Sequence, residues 1–290
     1  MNNGDWIRLI RQLEDGECTP LLGAGASAHR LPTGGALSQH FAELYGYPFQ
    51  DADNLPKVTQ FAATTQLGDP VDVKRDVCRH LKDHIANTPP AADAVDPYAV
   101  LAEFPITTFL TTNYDDLVAQ ALRKASRDPQ VAASQLIDGT SEPGEVPGEP
   151  SRGNPLVYHL HGSWDHPDSI VLTDNDFMDY QLSMVSAAAS GDRKPLPDQV
   201  VKAITGTPLL LIGYSLQDWA FRVLYRSLLN GVRRGRRSIS VQLVAALGTH
   251  PEAQVRAIKY LEQYLHDWNI STFIGTTDQF FESLRRKMGR

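Results

Sequence analysis

Short apolar runs, separated by longer stretches of helical periodicity, set the rhythm of this chain. Pro20–Leu22, Ile106–Leu110, Leu156–Leu160, Ile170–Leu172, Pro208–Ile212, Ile239–Ala245 and Ile270–Ile274 read as buried strands. Most lead into segments whose apolar residues recur every three or four positions. Examples are Asp115–Lys124, Asp218–Leu229, Glu252–Trp268 and Asp278–Met288. Strand and helix signals in alternation predict a parallel sheet with helices on both faces. Two stretches break the pattern. From about Gly46 to Ala99, the spacing of Val58, Phe61, Ala62, Val73, Val77, Leu81 and Ile85 predicts a helical insertion or lid. From Ser126 to Asn154, repeated Gly and Pro residues predict a mobile loop. A second small helical piece is expected from about Asp176 to Ile204.

The first strand runs into Gly23-Ala24-Gly25-Ala26-Ser27. A tight small-residue turn after an apolar run predicts a strand handing over to a helix beneath a bound phosphate. Glycines allow close backbone approach, and the first free N–H groups of the helix face the anion. Gly23-x-Gly25-x-x-Ala28 is a relaxed form of the dinucleotide fingerprint. The expected fold is therefore α/β, a Rossmann-like doubly wound parallel sheet with helical insertions, as one domain over residues 1–290. A hydride-transferring enzyme of this class also needs an acid about 20 positions on, at the end of the second strand. Glu43 has the distance, but Leu37, Phe41, Leu44 and Tyr45 place it within a helical pattern. An acid there cannot grip a ribose as a strand-end acid does.

Ligands of open α/β sheets sit beyond the carboxyl ends of the strands, and three further strand ends carry polar residues. Thr111-Thr112-Asn113-Tyr114-Asp115 stands where a strand becomes a helix. Asn and Asp there serve either as caps or as ligand contacts. His159 and His161, in Tyr158-His159-Leu160-His161-Gly162, share a face by period two. They could form a metal pair, but no Cys or acidic third ligand stands close by. His161 precedes a glycine and is expected at the strand end, open to the cleft, whereas His159 lies deeper and reads as structural. Last, Leu211-Ile212-Gly213-Tyr214-Ser215-Leu216-Gln217-Asp218 is a second glycine turn. Ser215 or Asp218 can cap the helix that follows, and Gly213 and Ser215 can approach a phosphate or ribose.

Charge and cysteine content narrow the picture. A net charge of −7 argues against general nucleic-acid binding, so any nucleic-acid contact would be indirect. The densest basic run, Arg233-Arg234-Gly235-Arg236-Arg237, reads as a solvated loop or a partner surface. Two distant cysteines, Cys18 and Cys78, cannot build a disulfide framework or a Cys-rich zinc module, and no metal is expected. No basic-then-apolar segment opens the chain and no apolar run is long enough to span a membrane. The expectation is a cytoplasmic protein.

Taken in order, these four stations resemble the sirtuin-like NAD-consuming domains, over about Pro20 to Arg222. The resemblance implies NAD as substrate, with His161 catalytic and Asn113 and Asp115 positioning ribose and nicotinamide. Gly23, Ala24, Gly25, Ser27, Thr112, Gly213, Ser215 and Asp218 would bind the nucleotide. Protein-deacylating sirtuins carry a four-cysteine zinc module, which this chain cannot supply. Leu31-Pro32-Thr33-Gly34-Gly35 also replaces their Asp-Phe-Arg segment near nicotinamide. The chain is more similar to bacterial sirtuin-like effectors of anti-phage defence, which hydrolyse NAD. Because uncontrolled NAD hydrolysis would harm the host cell, a gated activity is expected, with residues 46–99 and 126–154 as candidate gates. The likeness also implies a homo-oligomer and a separate partner, either a HerA-type hexameric ATPase or another sensor protein. The alternatives are NAD-dependent deacylation or ADP-ribosyl transfer, and a non-catalytic module that senses NAD or ADP-ribose.

Overall fold

A computed structural model describes residues 1–89, 95–190, 195–214, 238–242 and 251–289. Seven strands form one sheet: β1 (Thr19–Leu22), β2 (Thr108–Thr111), β3 (Gln130–Ala133), β6 (Leu156–His159), β7 (Leu209–Ile212), β8 (Ser238–Gln242) and β9 (Ile270–Ile274). β4 (Gln135–Ile137) and β5 (Thr140–Glu142) pair as a separate antiparallel hairpin. The large sheet has the order β3-β6-β2-β1-β7-β8-β9, and all its ladders are parallel. Pro20 is tolerated in the central strand because pairing with β2 begins only at Leu21.

The four central strands are buried throughout, and their side chains alternate between two cores. Leu22, Phe109, Val157, Leu210 and Ile212 meet residues of α1 (Asn3–Glu14), α2 (Gly34–Tyr45), α4 (Pro70–Asn87), α5 (Pro97–Ala102), α6 (Leu117–Lys124) and α10 (Thr277–Met288). Leu21, Leu110, Leu156, Tyr158, Leu209 and Leu211 meet α7 (Asp174–Ser190), α8 (Asp198–Gly206) and α9 (Pro251–Asp267). This is the expected α/β, Rossmann-like arrangement with helices on both faces. No helix among the described residues is long and apolar enough to cross a membrane.

Two expectations change. Ile170–Leu172 is buried but is not a strand. Its polar backbone groups are taken locally: Val171 N–H donates to His161 O at 3.0 Å, Tyr114 Oη donates to Val171 O at 2.6 Å, and Leu172 N–H donates to Asp176 Oδ2 at 3.1 Å. No ladder partner is needed. Residues 126–154, expected as a loop, contribute edge strand β3 and the β4–β5 hairpin. The Gly and Pro residues there lie around these elements rather than preventing them.

The stretch between β1 and β2 is helical, with α3 (Leu55–Ala62) and α4 joined through Ala63–Leu67. It docks on the segment that follows His161. Thr59 Oγ1 donates to Leu172 O at 3.2 Å, and Lys74 Nζ pairs with Asp176 Oδ1 at 2.9 Å inside the protein. Lys82 Nζ reaches Asp165 at 3.2 Å on the surface. The helix expected over Asp218–Leu229 and the basic run Arg233–Arg237 lie outside the described residues.

Candidate functional site

Register puts the stations side by side. Leu22 pairs with Thr111 on one side and Ile212 on the other, and Thr111 pairs with His159. Gly213, Gly23, Thr112 and Leu160 therefore leave the sheet from one row. Asn113 and His161 each stand two residues beyond a paired position. The chain leaves β1 for β2 on one side and leaves β7 for β8 on the other, so the switch in strand order lies between β1 and β7. A crevice at such a switch is where this class of sheet binds ligands.

The turn after β1 is not the expected helix N-terminus. Ala24–Ala26 is a single 3-10 turn, and α2 begins only at Gly34, capped by Thr33. The turn's amides are mostly committed within the protein. Gly23 N–H donates to Ile212 O, Gly25 N–H to Gly213 O, Ala26 N–H to Gly23 O and Ser27 N–H to Ala24 O, at 2.8–3.1 Å. Ala24, which is exposed, is the turn residue whose N–H has no partner among the described residues. The glycines serve loop-on-loop packing. Gly213 has φ +83°, and a Cβ there would lie 2.3 Å from Ala26 N. A Cβ on Gly25 would lie 2.9 Å from Gly213 Cα. Glu43 lies exposed in α2, consistent with its helical pattern.

Asn113, Ser27 and Asp115 meet in a buried network. Asn113 Nδ2 donates to Gly23 O at 3.1 Å and to Ser27 Oγ at 2.9 Å. Ser27 Oγ donates to Asp115 Oδ2 at 3.0 Å, while Leu117 N–H donates to Asp115 Oδ1 at 3.1 Å. Both carboxylate oxygens are thus engaged by protein donors. Asp115 therefore holds the turn and the start of α6. Burial pushes its carboxyl up to about 6. Ser27 Oγ is likewise bonded within the protein, to Tyr98, Asp115 and Asn113. Thr112 Oγ1 lies 3.1 Å from Tyr214 Oη, which donates to Leu22 O at 2.8 Å.

His161 is also less open than expected. It is 8% exposed, and its ring packs edge-on against Phe177 and Tyr180 of α7, at centroid distances of 5.3 and 5.0 Å. Burial alone holds its pKa down to about 3, so the ring is neutral, and neither nitrogen is hydrogen-bonded among the described residues. The turn that places it needs Gly162, whose φ is +79° and whose absent Cβ would lie 2.7 Å from Ser169 O. His159 is structural: it is buried, and its Nδ1 bonds Asn113 O at 2.8 Å. That bond steadies the backbone of Asn113. Cys18 and Cys78 are free and buried, and no group of metal-holding side chains occurs among the described residues. Ser215 and Asp218 lie outside the described residues.

Sequence reasoning missed Tyr98, Tyr214, Phe177 and Tyr180. Asp96-Pro97 does announce the start of α5, with Asp96 capping the N–H groups of Tyr98 and Ala99. Nothing local shows where the phenol of Tyr98 ends up.

Fold and site together define a Rossmann-like α/β protein whose polar candidate residues gather beyond the carboxyl ends of the strands at its switch point. Residues 107–273 match the SIR2-like domain, and the chain belongs to that family. The matched range includes Asn113, Asp115, His161 and Gly213 and begins after the Gly23–Ser27 turn. The chain is similar to NAD(+) hydrolase ThsA of Bacillus cereus, at 28% identity over 43% of this chain and 23% of the relative. The namesake of Enterococcus faecium is 34% identical over 29% of this chain and 16% of its own length. For that of Acinetobacter baumannii the values are 25%, 44% and 23%. The chain thus spans less than a quarter of the length of each of these relatives.

Proposed function

We propose that this chain hydrolyses NAD at the bond between nicotinamide and ribose, releasing nicotinamide and ADP-ribose. The observation that carries the reading is the convergence of unspent polar groups at one sheet edge. These are the Asn113 Oδ1, the Ala24 N–H and the His161 ring, on turns that follow paired strands. The three relatives named as NAD hydrolases support the choice of substrate.

In this reading water adds to the anomeric carbon as nicotinamide leaves, and the water's second proton must go to a base. His161 takes that proton or one from a ribose hydroxyl, help worth about 10²–10⁴ in rate. Asn113 orients the ribose through Oδ1. Asp115 acts one step back, holding Ser27 and hence the turn that faces the diphosphate. Gly213 and Thr112 shape the other wall, and the resemblance also assigns Ser215 and Asp218 to the nucleotide.

We propose further that the activity is gated. A largely buried histidine with a pKa near 3 is a weak base, and its basicity rises once water or substrate hydrogen-bonds to it. Displacing Phe177 and Tyr180 of α7 is the change that would allow this. A cytoplasmic homo-oligomer acting as an anti-phage effector with a HerA-type ATPase or another sensor protein fits an activity that must be held off until needed.

The test is incubation of the chain with NAD, alone and with a candidate partner, followed by chromatography for nicotinamide. His161→Ala and Asn113→Ala are each expected to abolish release while circular dichroism still shows the native fold, with a lowered unfolding midpoint from the lost packing and hydrogen bonds. Full turnover in both variants would remove these residues from the chemistry. Tight NAD binding without release in every assembly state would favour a sensing module instead.

A further inference from the structure

The side chain of Asn113 can face two ways, and the identity of its neighbours decides which. Gly23 O is a carbonyl and can only accept, so the Asn113 atom 3.1 Å from it must be Nδ2. Ser27 has one hydroxyl proton, and that proton goes to the Asp115 carboxylate at 3.0 Å. Ser27 Oγ is left as an acceptor, which receives Asn113 Nδ2 at 2.9 Å. The Tyr98 hydroxyl, 2.6 Å from Ser27 Oγ, is then the donor of that short bond, and its oxygen lies 3.4 Å from Asn113 Nδ2. The three oxygens of Gly23, Ser27 and Tyr98 thus collect on the nitrogen side of the amide. Oδ1 points away from them and has no hydrogen-bond partner among the described residues.

We propose that Tyr98 is a positioning residue, whose hydroxyl acts through Ser27 to fix the face that the Asn113 amide presents to the substrate's ribose. The proposal rests on the NAD-hydrolysis reading for its substrate, but its structural half stands separately. Tyr98 is suited to the task because it is itself held. It is 2% exposed, it lies in the first turn of α5 under the Asp96 cap, and its ring meets His29 edge-on at 5.7 Å. Burial and the nearby Asp115 keep its phenol protonated, so it remains a donor at any working pH. Removing the hydroxyl leaves Ser27 without its shortest bond and the Asn113 amide with fewer oxygens to hold it.

Tyr98→Phe keeps the ring and deletes only that hydroxyl. Nicotinamide release at saturating NAD is expected to fall about tenfold, with KM changed less than about twofold, as loss of one buried hydrogen bond to a positioning group implies. Combining Tyr98→Phe with Ser27→Ala is expected to cost clearly less than the sum of the two single losses, since only the 3.4 Å contact of Tyr98 with Asn113 Nδ2 remains to be lost. A fully additive loss would show that Tyr98 does not act through Ser27 and would overturn the proposal. A second readout does not depend on turnover. The Asn113 side-chain amide, assigned in an NMR spectrum by its loss in Asn113→Asp, is expected to exchange with solvent faster in Tyr98→Phe than in wild type. Unchanged exchange overturns the proposal whether or not the chain is active. If wild type turns over and Tyr98→Phe matches it, the proposal fails while the NAD reading stands. If wild type neither binds nor cleaves NAD, the NAD reading fails and the amide exchange still decides what Tyr98 does.

Discussion

Asp115 shows how burial changes the meaning of a single carboxylate. Its folded pKa of about 6 lies above the ordinary 3.8 because burial disfavours the charge more than Leu117 N–H and Ser27 Oγ favour it. The folded chain therefore binds this proton more tightly than the unfolded chain does. The resulting stabilisation, about 3 kcal/mol, is fully present below about pH 4 and is lost as pH rises through about 6. Measured by urea unfolding, the stability of wild type relative to Asp115→Asn is expected to decline over that window and to level off above it. Parallel profiles would mean that the carboxyl titrates as if exposed. At this scale the sequence was informative about identity and silent about use. Asn113, Asp115 and His161 stood out as polar residues at strand ends. That Asp115 spends both oxygens on the protein, and that His161 faces two aromatic rings, depends on Ser27, Leu117, Phe177 and Tyr180, which arrive from other elements.

The element that bears on His161 from the far side is α7, and the insertion between β1 and β2 holds it in place. Asp176, in the first turn of α7, accepts N–H groups of Leu172 and Thr173 at 3.1 and 2.8 Å and the ammonium of Lys74 at 2.9 Å. Asp176 N–H in turn donates to Thr173 Oγ1 at 3.2 Å, a reciprocal cap. Lys74→Met leaves a buried carboxylate without its cation, which is expected to cost about 3–5 kcal/mol in chemical denaturation. A loss under about 1 kcal/mol would mean that the two backbone donors suffice. The helical character of the insertion was readable from its apolar spacing. Its docking was not, because Lys74 and Asp176 are 102 residues apart and each alone reads as a surface charge. Strand Gln130–Ala133 was hidden for a related reason. It is an edge strand that is partly exposed, so it lacks the continuous apolar run by which the central strands are recognised.

Across the whole molecule the candidate site depends on the loops after neighbouring strands β1 and β7 packing backbone to backbone. Gly213→Ala places a methyl group 2.3 Å from Ala26 N and 2.5 Å from Gly23 O at φ +83°. The loops must part, at an expected cost of roughly 2 kcal/mol or more, together with weakened NAD binding in calorimetry. Wild-type affinity and stability would show that the turn adjusts without strain. The sequence by itself determined the alternation of strand and helix, the two-sided burial of the central strands and the residue types at their ends. Each of these is a local property, set by hydrophobic period and turn chemistry. Tertiary structure alone decided that β1 and β7 lie side by side. It therefore decided that the glycines of Gly23–Ser27 pack against Gly213, that the turn's amides are largely spent there, and that Tyr98 reaches Ser27. Strand order and side-chain meeting points follow from which surfaces can be buried together, and no local stretch of residues carries that information.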